Sequence, residues 1–166
     1  MPEPLDYLTE FRQLLDELGL EAVVIGAVAA GRYRLVPRTT TDLDFLARRL
    51  DGLAAKAASL GFEVSSMAEP GEEPYLVFIR GHGRQVDVLR AETEYQREAL
   101  DRGVDGWLTV EDVIVHKLIA WRPRDRDDIT QILASGHDLD AAYILRWATE
   151  WDVTDRWVIA TGRADS

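Results

Sequence analysis

Cysteine is absent from the 166 residues, which removes disulfides, thiolate catalysis and cysteine-ligated zinc together. Histidine is scarce: His82, His116 and His137 stand at spacings unlike any zinc motif. Any bound metal would therefore be held by oxygen, which favours Mg²⁺, Mn²⁺ or Ca²⁺. No apolar run reaches the ~18 residues of a membrane span, and the stretch Met1 to Asp6 lacks the charged-then-apolar layout of a signal peptide. The expectation is a cytoplasmic protein with no membrane partner. Lysine is nearly missing, with only Lys56 and Lys117. Positive charge is short overall: 19 basic residues face 30 acids, for a net charge of −11. That balance argues against broad nucleic-acid binding, because a phosphate backbone needs a basic face.

The rest of the composition is that of a folded domain. Hydrophobic residues make up 46% and charged residues 30%, and the length suits a single domain over 1–166. Leu5, Leu8, Phe11, Leu14, Leu15 and Leu18 recur at three- and four-residue intervals, predicting an amphipathic helix over 4–18. Ala22 to Ile25 reads as a short buried strand ending at Gly26, and the alanine-rich run Ala27 to Tyr33 as a helix. Asp42 to Ala47 predicts a second strand, Leu50 to Leu60 a helix and Phe62 to Ser66 a third strand. Residues 75–80 and 85–89 flank Gly81-His82-Gly83 as a β-hairpin. From residue 92 the signals are helical, with Thr109 capping one helix, Pro123 breaking it, Asp125 starting the next, and a further helix over Asp140 to Trp151. The pattern predicts an α/β domain: a five-strand core over about 1–91, then a helical region over about 92–166.

Asp42-Leu43-Asp44 is the centre of chemical interest. On a strand, residues i and i+2 face the same side, so both carboxylates point one way while Leu43 and Phe45 point the other. Adjacent like charges are costly unless a cation offsets them, and a divalent metal bridging phosphate oxygens is a common solution. An acid-x-acid pair carries little by itself, since chance predicts roughly five in a chain this acidic. Five occur, at 42/44, 92/94, 125/127, 138/140 and 150/152, but only the first lies in an apolar strand. Asp87 interrupts Val86-Asp87-Val88-Leu89 in the same manner. The strands of Ile25, Asp44 and Asp87 are expected to be neighbours, with the three carboxylates converging on an oxygen-ligand site that leaves room for waters and phosphates. Gly26, at a strand-to-helix turn, lets backbone N–H groups approach phosphate oxygens.

Val24-Ile25-Gly26-Ala27, followed by Pro37-Arg38-Thr39-Thr40-Thr41-Asp42-Leu43-Asp44-Phe45, resembles the signature of the polymerase-β-type nucleotidyltransferase superfamily. The Arg-x-Thr-x-Asp-x-Asp form is similar to small bacterial nucleotidyltransferases, including the AbiEii-like abortive-infection toxins. Lys117-Leu118-Ile119-Ala120-Trp121-Arg122-Pro123-Arg124-Asp125-Arg126-Asp127-Asp128-Ile129 resembles the family's lysine helix and the segment after it. The resemblance covers roughly residues 20–130. It implies a nucleotidyltransferase fold, a nucleoside triphosphate as substrate and Mg²⁺ or Mn²⁺ as cofactor. It implies that Asp42, Asp44 and Asp87 are the metal and catalytic carboxylates, and that Gly26, Ala27, Arg38, Thr41 and Lys117 contact nucleotide. Arg122, Asp125 and Asp128 would support the site. Ala27 departs from the pattern, which has a second glycine or a serine there; alanine keeps the backbone N–H but offers no hydroxyl.

Two functions follow. One is a metal-dependent enzyme moving a nucleoside monophosphate from a triphosphate to an unidentified hydroxyl acceptor on a protein, small molecule or RNA, in the manner of a toxin-type enzyme. The other is a non-catalytic protein of the same fold that acts through a partner such as an antitoxin. On the enzyme reading, removing the Lys117 side chain is expected to impair transfer with little loss of stability.

Overall fold

A computed structural model describes residues 2–162; Met1 and residues 163–166, the last of the region predicted helical, lie outside the described residues. The chain forms two compact units, the first comprising Met1–Val28 and Thr39–Leu108, the second Ala29–Arg38 and Thr109–Ser166. No helix among the described residues is long and apolar enough to cross a membrane.

The first unit is built on a five-stranded mixed sheet of β1 (Ala22–Ile25), β2 (Leu43–Ala47), β3 (Glu63–Met67), β4 (Leu76–Gly81) and β5 (Arg84–Arg90). The strand order is β1-β2-β5-β4-β3, and β2 with β5 is the one parallel pair among antiparallel neighbours. Leu43, Phe45, Val77, Ile79, Val86 and Val88 are all buried. Their alternate spacing along β2, β4 and β5 gives these strands one largely apolar face, whose burial stabilises this unit. The strand order has a direct consequence: Asp44 and Asp87 lie on the two parallel strands at the centre.

The helices of this unit start later than the sequence pattern suggests, each for a local reason. Residues 4–7 form a 3₁₀ turn, and α1 runs only over Leu8–Glu17. Pro4 sits in the first turn, and the Asp6 carboxylate accepts the Glu3 N–H at 2.8 Å, which favours the tighter start. The helix expected from Leu50 begins at Leu53 as α3 (Leu53–Ser59), because Gly52 stands in a left-handed conformation just before it. α4 (Glu94–Arg102) is capped by Thr93, whose side chain accepts the Gln96 N–H.

One helix, α2 (Gly26–Tyr33), passes from the first unit into the second. Among the described residues the second unit also contains α5 (Val110–Ala120), α6 (Pro123–Ala134), α7 (Ala141–Glu150) and α8 (Thr154–Thr161). Ile114, Leu118, Ile129, Ile132, Ile144 and Trp147 are buried in it. α6 starts at Pro123 itself, not at Asp125. Proline is suited to the first helical position, and the Asp125 carboxylate accepts the free Arg122 N–H at 2.9 Å.

Candidate active site

Gly26 is a point of close backbone approach in the first unit. It opens α2 with φ +69°, the left-handed region. A Cβ built there would lie 2.4 Å from Asp44 Oδ2 and 3.1 Å from its Cγ. Backbone and carboxylate thus meet at a distance that no side chain allows. Register explains the encounter, since Ile25 of β1 pairs with Asp44 of β2. Gly26→Ala is expected to cost about 1–2 kcal/mol in chemical denaturation, from the left-handed backbone and the displaced carboxylate. Gly31→Ala in the same helix meets nothing within 4 Å and should be neutral or slightly stabilising. Equal effects at the two positions would contradict the close approach.

Asp44 is the direct register partner of Asp87 across the parallel pair, so both residues stand on one face of the sheet. Asp42 lies just outside β2, where Thr41 Oγ1 donates to its Oδ1 at 3.2 Å. The approach to both strands is fixed by Tyr7, buried at the end of the 3₁₀ turn. Its hydroxyl reaches the carbonyl oxygens of Thr41 at 3.4 Å and Gln85 at 3.5 Å.

The three carboxylates do not converge as the sequence predicts. Among the described residues no group of three acidic or imidazole side chains is gathered so that it could hold a metal ion. Asp87 is paired instead with β4, where Arg80 Nη1 donates to its Oδ1 at 2.7 Å. The donor chemistry still suits Mg²⁺. That ion is commonly held by one or two carboxylates plus substrate phosphates, without a complete protein cage.

The remaining residues singled out from the sequence belong to the second unit, where they bind one another. Lys117 is buried, 6% exposed, with Nζ 3.1 Å from Asp125 Oδ1 and 2.9 Å from Asp128 Oδ2. Arg38 grips Asp128 with two parallel bonds, Nε at 3.0 Å and Nη2 at 2.9 Å, and Arg34 binds Asp127 and Asp128. Arg122 closes on Asp125 through Nε at 2.7 Å. Both Asp125 and Asp128 are fully buried. Burial alone would raise the Asp128 carboxyl, but hydrogen bonds from Arg38 and Lys117 outweigh it and bring it down to about 2. Asp125 is lowered in the same way, against burial, chiefly by Arg122.

Neither Tyr7 nor Arg80 is marked by the sequence motifs. Arg80 alone had a usable signal. A two-residue hairpin turn pairs Gly81 with Arg84, which sets Phe78 opposite Asp87 and Arg80 diagonal to it on the same face.

Neither the protein-family models nor the curated proteins give a match to this chain. Solved structures do. The antibiotic-resistance factor ANT(2'')-Ia aligns over 95% of both chains with a TM-score of 0.60 at 16% identity. An antigenic nucleotidyltransferase-like protein from Paracoccidioides brasiliensis aligns over 80% of this chain and 75% of its own, with a TM-score of 0.53 at 17% identity. A candidate nucleotidyltransferase from H. pylori aligns over 98% of this chain and 84% of its own, with a TM-score of 0.52 at 16% identity. At such identities the likeness is one of fold: the chain has the α/β architecture of the nucleotidyltransferases.

Proposed function

We propose that the chain is a metal-dependent nucleotidyltransferase that moves a nucleoside monophosphate from a nucleoside triphosphate to a hydroxyl acceptor. The observation that carries this reading is the close approach of Gly26 to Asp44, which puts a side-chain-free backbone turn beside a carboxylate on the central strands. The fold shared with nucleotidyltransferases supports it.

In this reading Asp42 and Asp44 would hold Mg²⁺ or Mn²⁺. When bound, the cation offsets phosphate charge and polarises the phosphoryl oxygens. Gly26 and Ala27 present backbone N–H groups at the start of α2, where the helix dipole favours anions. Ala27 contributes no hydroxyl, so the phosphates are bound there by backbone alone. Asp87 would serve as the third carboxylate toward that cation and take the proton of the acceptor hydroxyl as the new ester bond forms at the α-phosphorus and the α–β anhydride bond breaks, releasing pyrophosphate. Lys117, Arg38, Arg122, Asp125 and Asp128 act as a structural brace, because each already has a buried or partly buried ionic partner. A net charge of −11 favours a small polyhydroxylated molecule or a protein hydroxyl over RNA as acceptor. The Arg-x-Thr-x-Asp-x-Asp form extends the proposal to a toxin-type role.

Ligand-induced stabilisation tests the assignment. A triphosphate with Mg²⁺ should raise the Tm by mass action on the folded state, and Asp44→Asn should remove that shift at nearly constant side-chain volume. Undiminished stabilisation in Asp44→Asn would place the metal and nucleotide elsewhere.

A further inference from the structure

Asp87 has an arginine laid directly against it in a short ion pair. Arg80 Nη1 donates to Asp87 Oδ1 at 2.7 Å and is steadied by the carbonyl oxygens of Ile79 at 3.0 Å and Val86 at 3.2 Å. Its guanidinium also lies over the Phe78 ring, 5.6 Å from the centroid. The pairing is selective. Glu63 of β3 is the register partner of Arg80, yet the arginine turns to Asp87. It is also only partly shielded: the side chains of Arg80 and Asp87 are 36% and 24% exposed. A pair of that exposure holds a geometry without locking it, since solvent weakens the attraction.

We propose that Arg80 and a divalent cation compete for Asp87, so that the arginine is a latch holding the third carboxylate away from the metal position until a cation displaces it. This rests on the metal-dependent reading given above and deepens it. One carboxylate oxygen already accepts a cationic N–H, and a divalent ion offers the same carboxylate twice the charge. The two cations repel each other, so metal binding at Asp87 weakens its hold on Arg80, and Arg80 in turn weakens its hold on the metal. The latch also accounts for the lack of a preformed three-carboxylate group around Asp44 among the described residues. Arg80 is in this respect a positioning residue, acting on the site through Asp87.

The test is Mn²⁺ binding to the whole protein without nucleotide, read as loss of the free-ion electron paramagnetic resonance signal. Arg80→Met keeps an apolar stem over Phe78 and removes the charge; Arg80→Gln keeps a donor for the two carbonyl groups. Circular dichroism checks that each folds, and either variant suffices. Both should bind Mn²⁺ roughly two- to fivefold more tightly than the wild type, the range a partly exposed ion pair supports. In an Asp87→Asn background the gain should vanish. Unchanged or weaker binding in the Arg80 variants overturns the latch, as does a gain that persists in Asp87→Asn. Asp44→Asn separates the two ideas. If it weakens Mn²⁺ binding while the Arg80 variants do nothing, or if none of the proteins binds Mn²⁺ without nucleotide, the latch alone fails; if Asp44→Asn leaves Mn²⁺ binding unchanged, the metal reading fails with it.

Discussion

Lys117→Ala is expected to destabilise the protein by about 3 kcal/mol, the lower end of what removing one partner from a buried ion pair costs. The ammonium stands between two fully buried carboxylates, 3.1 Å from Asp125 and 2.9 Å from Asp128. Without it, both acids keep cationic partners, Arg122 on one and Arg34 with Arg38 on the other, which holds the loss below the upper end. This reverses the small stability effect that the sequence alone suggests. Lys117→Arg should recover part of the loss, because a planar guanidinium cannot occupy the place of a compact ammonium between two acids. The loss should also depend on pH. The folded Asp128 carboxyl is lowered to about 2 from an ordinary 3.8, so its contribution is fully present above about 4 and fades as pH falls through about 2. Part of that lowering comes from Lys117, and the gap between wild type and Lys117→Ala should accordingly narrow below pH 4. Urea unfolding at pH 7 and pH 3 measures both effects. A difference under about 1 kcal/mol at pH 7 would return Lys117 to the status of an exposed helix residue.

Local patterns in the sequence carry much of the fold, and the reason differs by element. Short apolar runs bounded by glycine or polar loops specify β1, β2 and β5, because a buried strand needs little beyond a few β-branched and aliphatic residues. His82 and Gly83, at φ 51° and 72°, form the two-residue turn that such a hairpin requires, and the turn fixes Asp87 against its neighbours. The period of two of an extended chain governs Asp44 within β2 but not Asp42, which lies just before the strand. What local pattern could not supply is pairing across long stretches of chain. Arg38 and Asp128 are 90 residues apart and Tyr7 and Gln85 are 78 apart, and no spacing rule joins them. Lys117 illustrates the difficulty: a lysine on a helix is ordinarily solvated, and only the tertiary placement of Asp125 and Asp128 offsets the cost of its burial. For the counter-cation on Asp87 the hairpin register puts Arg80 within reach, but which way that flexible arginine turns is set by its tertiary surroundings.

Asp44→Asn is expected to lower nucleotide transfer by on the order of 10²-fold or more, because it removes one negative charge from the site proposed to gather a divalent cation and a polyphosphate. The fold should survive, as asparagine has nearly the volume of aspartate and Asp44 lies on an otherwise well-packed strand whose flanking Leu43 and Phe45 are buried. Asp42→Ala should behave alike, whereas Gly31→Ala, in a helix position with open space around it, should transfer normally. The direct measurement is incubation of the wild type and Asp44→Asn with Mg²⁺, cell extract and nucleoside triphosphates labelled at either the α- or the γ-phosphate. The proposed reaction predicts that the wild type places α-label, and not γ-label, on an acceptor, and that Asp44→Asn does not. Transfer of γ-label would identify a phosphoryl transferase instead. Equal incorporation by the two proteins, or none by either, would contradict the nucleotidyl-transfer account and favour a partner-binding protein that keeps the fold without the chemistry.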